Sequence, residues 1–280
     1  MLIVRDKIDE HAEKEIIKGS YDSLWLYWGS FERMFDLVSK HRLNFKRLRV
    51  HCIEKQDVSW VNKVEEVEYL LLKGKMKGEV DFSCLPNLRS VELDFNKSTE
   101  GVLNECVKAE SVAIEKFKGS LSDFDSDIAK NISTLGIFGG DLVNLHGIEL
   151  FTGLRSLSLY GLRKLKSISG LGKCESIECL EIDSCNNIDC LDSISSLKNL
   201  QGFSFENKEI PSLSLLPKDN LRRVRLGSQT KIVDSDVESF LDFPHLEKVT
   251  FTKKKGYKYS AVEINELIAS QNNNEMDERL

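Results

Sequence analysis

Acid–base, thiol and metal chemistry each need particular side chains held close together, and three sets in this chain meet part of that need. Glu181 and Asp183 are two residues apart, so on an extended strand both carboxylates lie on one face. Such a pair does general acid–base work when a pocket pushes the two pKa values apart, and nothing in the surrounding sequence supplies a pocket. Cys174, Cys179, Cys185 and Cys190 follow one another at spacings of five, six and five. A zinc site would use C-x2-C pairs or nearby histidines, and neither is present. With Cys52, Cys84 and Cys106, these thiols read as small buried hydrophobes. The five histidines, His11, His41, His51, His146 and His245, are scattered. There is no glycine-rich phosphate loop, no G-x-S-x-G and no H-E-x-x-H. The expectation is a chain that is not an enzyme and uses no metal and no cofactor. An irregular loop around residues 115–132 is the one place left for a catalytic site.

What remains is recognition chemistry, and which side chains share a surface depends on the elements that carry them. The stretch Leu154-Arg155-Ser156-Leu157-Ser158-Leu159 reads L-x-x-L-x-L. The same spacing recurs at Ile177, Leu180 and Ile182, at Leu200, Phe203 and Phe205, and at Leu221, Val224 and Leu226. It continues forward to Leu246, Val249 and Phe251, and back through Ile132, Leu135 and Ile137 to Ala109, Val112 and Ile114. Further back stand Leu88, Val91 and Leu93; Val67, Leu70 and Leu72; Phe45, Leu48 and Val50; and Tyr21, Leu24 and Leu26. From Leu24 to Val249 the steps between second positions are 24, 22, 21, 21, 23, 22, 23, 23, 21 and 25. In a chain that is 41% apolar, unrelated elements give no reason for that spacing to persist. The alternation at the end of each unit makes a short strand with one face inward. The residues between strands are enough to return the chain to a parallel neighbour.

These units resemble leucine-rich repeats over about residues 21–252. The resemblance implies an α/β solenoid with about eleven parallel strands on a concave face and mixed helical and extended convex segments. Between strands the middle units carry Leu162, Leu165, Ile168 and Leu171, then Ile188, Leu191, Ile194 and Leu197, which resemble the short returns of bacterial members of the family. The family places Asn or Cys five residues after the second leucine, where the side chain bonds the turn backbone. Only Asn96 and Cys185 match, so the array is divergent and its turns irregular. Helical spacing of Phe31, Met34, Phe35 and Val38, and a capping box at Ser235–Glu238, predict helical returns near the two ends.

Four segments follow. Residues 1–20 form an N-terminal cap of a short strand and a helix, and residues 21–252 form the array. Residues 253–270 hold a C-terminal cap helix, and residues 271–280 a disordered tail. The opening residues turn charged at once and no apolar stretch could span a bilayer, so a cytoplasmic location is expected.

The register fixes which side chains face outward. Exposed aromatics and a basic strand come first, with Trp25, Tyr27, Arg47 and Arg49. An acidic middle follows, with Glu92, Asp94, Glu115, Glu181, Asp183 and Glu206 around Phe138 and Tyr160, and Arg223 and Arg225 close the list. Aromatic anchors flanked by charge are what a protein-binding surface needs. A net charge of −6 argues against a general nucleic-acid partner. The expected function is protein binding by a monomer with no membrane partner. The leading reading is an immunity protein that neutralises a toxin through a basic toxin domain. The alternative is an adaptor or effector scaffold that binds a regulatory or host protein.

Overall fold

An alternating apolar strand buries one face, and neighbouring strands take the register that buries those faces together. The computed structural model describes residues 1–277. Two units are distinguished, Met1–Lys118 with Asp123–Leu135, and Gly119–Ser122 with Gly136–Leu280.

In the first unit, six strands run parallel in chain order: β1 (Leu2–Lys7), β2 (Ser23–Ser30), β3 (Arg47–Asp57), β4 (Tyr69–Lys77), β5 (Ser90–Asp94) and β6 (Ser111–Phe117). Leu24 pairs with Leu48, Leu48 with Leu70, Leu70 with Val91, and Val91 with Val112, as the apolar triplets require. β1 extends the register by a further strand, with Leu2 opposite Leu24 and Val4 opposite Leu26. Helix α1 (Glu10–Lys18) starts where Asp9 accepts a hydrogen bond from the Ala12 amide, and ends at Gly19 in the left-handed region. Helix α2 (Arg33–Lys40) turns Met34 and Leu37 into the core. The short α3 (Ser126–Ala129) is capped by the Asp125 carboxylate.

Strand β7 (Thr134–Gly140) begins in the first unit and ends in the second. The second unit then holds β8 (Ser156–Tyr160), β9 (Cys179–Asp183), β10 (Gly202–Glu206), β11 (Glu209–Ile210), β12 (Arg223–Leu226), β13 (Lys231–Ile232) and β14 (Lys248–Thr250). β8, β9, β10, β12 and β14 pair in that order, all parallel. β11 and β13 form a second, two-stranded ladder. Most returns are single 3-10 turns, whose i to i+3 bonding suits the three-residue apolar spacing of Leu162, Leu165, Ile168 and Leu171. Every position of the eleven apolar triplets is buried except Tyr21.

Three features depart from the sequence expectations. The Ser235–Glu238 box opens one 3-10 turn (Glu238–Asp242) and not an α-helix. Ser235 has a φ of 61°, and the amide of Ser239 is taken by Asp236. The C-terminal helix α4 (Ala261–Asp277) continues past residue 270 into the segment read as a tail; residues 278–280 of that segment lie outside the described residues. The polar turn ladder is present but out of step. Asn96 and Cys185 bond the turn backbone where the pattern puts them. In the repeats that follow Cys185, the work falls to Asn207 and Thr230. The Asn207 amide oxygen accepts from the Cys185 amide at 2.7 Å, and the Thr230 hydroxyl donates to the Asn207 carbonyl at 2.8 Å. Both side chains are buried. No helix among the described residues is long and apolar enough to cross a membrane.

Candidate functional site

The outward positions of β2, β3 and β4 bring together residues far apart in the chain. Trp25 lies opposite Arg49, and Arg47 opposite Tyr69. The Arg49 guanidinium sits 4.3 Å from the Trp25 ring centre and 5.2 Å from that of Tyr69, while Arg47 sits 4.7 Å from the Tyr69 ring. Tyr27 packs edge-on against Trp25 at 6.1 Å and against His51 at 6.3 Å. Each guanidinium is thus held by the face of an aromatic quadrupole. Among the described residues, neither has a carboxylate partner. Trp25, Tyr27 and Arg49 are half-buried, more enclosed than their outward register implies, because they cover one another. Burial, followed by the Glu92 carboxylate, pushes the Tyr69 phenol above its ordinary range.

Next to this cluster the expected acidic zone is largely neutralised. Lys73 on β4 lies 2.5 Å from Glu92 and 2.6 Å from Glu115. Asp94 is buried and so cannot serve as a solvent-facing contact: its carboxylate accepts from the Gly74 amide at 3.1 Å and from Lys116 at 2.6 Å. Asp94 therefore pins the backbone of β4 at Gly74, where φ is positive. Burial pulls the Lys73 ammonium down, but its hydrogen bonds to Glu115 and Glu92 outweigh this and its pKa is raised. A raised folded value stabilises fully below the unfolded pKa and loses that contribution as pH climbs through the folded one. Tyr69 acts with the same sign. Above about pH 10.4 the first unit is expected to lose stability, and less steeply in Lys73→Met, in urea melts across pH 9–12. An identical alkaline slope in the variant would remove Lys73 from this account.

In the second unit Phe138 and Tyr160 pack at 6.3 Å. Phe138 is half-buried and Tyr160 half exposed. Glu206 pairs with Arg225 at 3.1 Å. Glu181 and Asp183 accept only from serine hydroxyls, Ser158 and Ser184, and among the described residues no cation pairs with either. Arg223 is exposed, with Glu247 at 3.6 Å. The surface read as one acidic zone from the sequence is therefore unevenly charged, with free carboxylates at β9 and cations at β12.

The thiols do not converge. Cys174 and Cys185 are buried, Cys179 and Cys190 exposed, and all are free. Burial raises Cys52, Cys174 and Cys185 to about 11, which keeps them protonated and unreactive at neutral pH. Among the described residues no group of three or more His, Cys, Asp or Glu side chains could hold a metal ion.

Residues 100–224 match the family described as the Endo-beta-N-acetylglucosaminidase EndoS LRR domain. No curated protein sequence matches the chain. Its fold is similar to a chain in the crystal structure of the mouse RP105/MD-1 complex, with a TM-score of 0.57 at 14% identity. That likeness covers 84% of this chain and 48% of the other, so the chain spans about half the length of that relative. The leucine-rich repeat domain of the type III effector XCV3220 (XopL) is similar at a TM-score of 0.51 and 15% identity, covering 75% of this chain and 78% of the other. An internalin (inlF) from Listeria monocytogenes has 15% identity and a TM-score of 0.48, covering 87% of this chain and 85% of the other. At such identities the likeness is one of fold.

Proposed function

Since the chain is a leucine-rich-repeat protein, we propose that it works by binding another protein, through the open sheet face of its first unit. The observation that carries this reading is the Arg49 guanidinium, held between Trp25 and Tyr69 with no carboxylate partner among the described residues. Tryptophan, tyrosine and arginine are the residues enriched where binding energy concentrates. Here they are already packed in place, so little side-chain freedom is lost when a partner arrives. An arginine with no ion partner retains its charge and its donors for a ligand.

Among protein partners we place first a toxin domain with a basic surface, which would make this chain an immunity protein. The support is the pair of uncompensated carboxylates at Glu181 and Asp183; Glu92, Asp94 and Glu115 contribute less, since Lys73 and Lys116 offset two of their three charges. The experiment is affinity capture with the tagged chain, alongside co-expression with the product of the adjacent gene. Capture of that product by the native chain, and its loss in Trp25→Ala/Tyr27→Ala, is the expected result. Equal capture by both would move the interface off the first unit. A regulatory or host protein in the bound fraction would make the chain an adaptor or effector scaffold instead. Charge reversal in Glu181→Lys/Asp183→Lys is expected to weaken a basic partner about tenfold, with a nearly unchanged urea midpoint because neither side chain is in the core or in an ion pair among the described residues. Unaltered affinity would take the basic toxin domain out of the reading.

A further inference from the structure

On the second unit the sheet carries a depression of about 430 Å3 across β8, β9, β10, β12 and β14. It exists because the outward side chains in its floor are short. One row of paired positions runs Ser156, Cys179, Gly202, Arg223 and Lys248; the next runs Ser158, Glu181, Ser204, Arg225 and Thr250. Small residues on β8 and β10 thus meet a wall of Arg223, Arg225 and Lys248.

That wall is poorly neutralised. Arg223 and Lys248 are directly opposite on adjacent strands, an arrangement of like charges that costs stability. Glu247 is the nearest acid, but its stronger bond goes to Arg222 at 2.7 Å, against 3.6 Å to Arg223. Among the described residues nothing pairs with the Lys248 ammonium. Arg225 is the exception, tied to Glu206 and to the Ser204 hydroxyl. Glu181 is the acid within the depression, on β9, with β10 lying between it and the cations. A carboxylate entering at the β12–β14 side would meet the unpaired Lys248 and an Arg223 offset only by the longer Glu247 contact, and would reduce their mutual repulsion.

We propose that this groove holds an extended acidic segment of a partner protein, with a carboxylate seated between Arg223 and Lys248. The volume accommodates a few residues of extended chain, and the small floor lets their backbone approach the sheet. The proposal rests on the protein-binding reading only in taking the ligand to be a polypeptide. It adds a second contact, of opposite charge preference to Glu181 and Asp183, on the other unit from the Trp25 cluster.

Cys179 lies in the floor of the groove and is exposed, so its alkylation reports occupancy. Cys190 is also exposed but does not line the groove, so it serves as the internal control. The probe is a decapeptide of alternating Glu and Ser, with a Gln–Ser peptide of equal length for comparison. Alkylation of each cysteine by N-ethylmaleimide is followed by mass spectrometry. The Glu–Ser peptide at millimolar concentration is expected to slow Cys179 about fivefold and leave Cys190 unchanged, with protection lost at high salt. Lys248→Glu and Arg223→Glu should each abolish protection, while Trp25→Ala should retain it. An unprotected Cys179, equal protection by the Gln–Ser peptide, or protection that survives Lys248→Glu would each overturn the proposal. Because capture by the Trp25 cluster is measured separately, loss of one result leaves the other standing.

Discussion

Gly74→Ala is expected to destabilise the first unit by about 3 kcal/mol, read as a lower urea midpoint with an unchanged slope. Two causes act together. Gly74 has a φ of 97°, where an L side chain is strained, and an added Cβ would come within 1.9 Å of the Cys52 carbonyl oxygen on the neighbouring strand. The strand has no room to relax there, because the Gly74 amide is also bonded to the buried Asp94 carboxylate. Gly19 in the same unit separates the two causes. It too has a positive φ, of 64°, yet nothing lies within 4 Å of its would-be Cβ. Gly19→Ala should therefore cost only the conformational part, about 1 kcal/mol. Equal losses at both positions would mean that the contact with Cys52 adds nothing.

Arg49→Ala is expected to weaken the captured partner by about 2 kcal/mol, a factor of roughly thirty in Kd, measured by calorimetry. Arg49→Lys should not restore it. The ammonium keeps the charge but loses the planar fork that lies against Trp25 and Tyr69. Arg33→Ala is the matched control, since Arg33 is spent on an ion pair with Glu13 and lies outside the cluster. Rescue by lysine would show that Arg49 acts through charge alone, as a steering residue, and the loss would then shrink with added salt.

The register was legible because burial imposes it twice over. Each apolar position had to face the core and also match a neighbour about a repeat away, and Leu48, Leu70 and Val91 satisfy both demands. β1 was read as a capping strand and not as a further repeat because Leu2 and Val4 show only two positions of the pattern. The outward face was legible as a list of residues but not as a set of charges. Facing outward does not mean facing water: Asp94 is buried, bonded to Lys116 and to the β4 backbone at Gly74. The Trp25–Arg49 stack did have a signal, since the register already set those two residues opposite each other. The sequence set Trp25 and Tyr27 beside the basic strand as anchors flanked by charge, but it did not mark Tyr69, against which both guanidiniums stack. The groove on the second unit left its own trace in the short residues Ser156, Cys179 and Gly202, none of which is an aromatic or charged anchor.

The pairing of each strand with its immediate successors also governs how the chain finds this structure. Leu48 meets Leu70 and Leu70 meets Val91, so ladder closure joins residues at a short and nearly constant separation along the chain. The entropy of closing each loop is similar from one repeat to the next and does not grow with the number already formed. Assembly within a unit can then begin at any adjacent pair and spread in both directions. The order of events is set by which pairs are locally strongest, and the long β3–β4 ladder, which reaches from Arg47 to Asp57, makes that pair the natural starting point in the first unit.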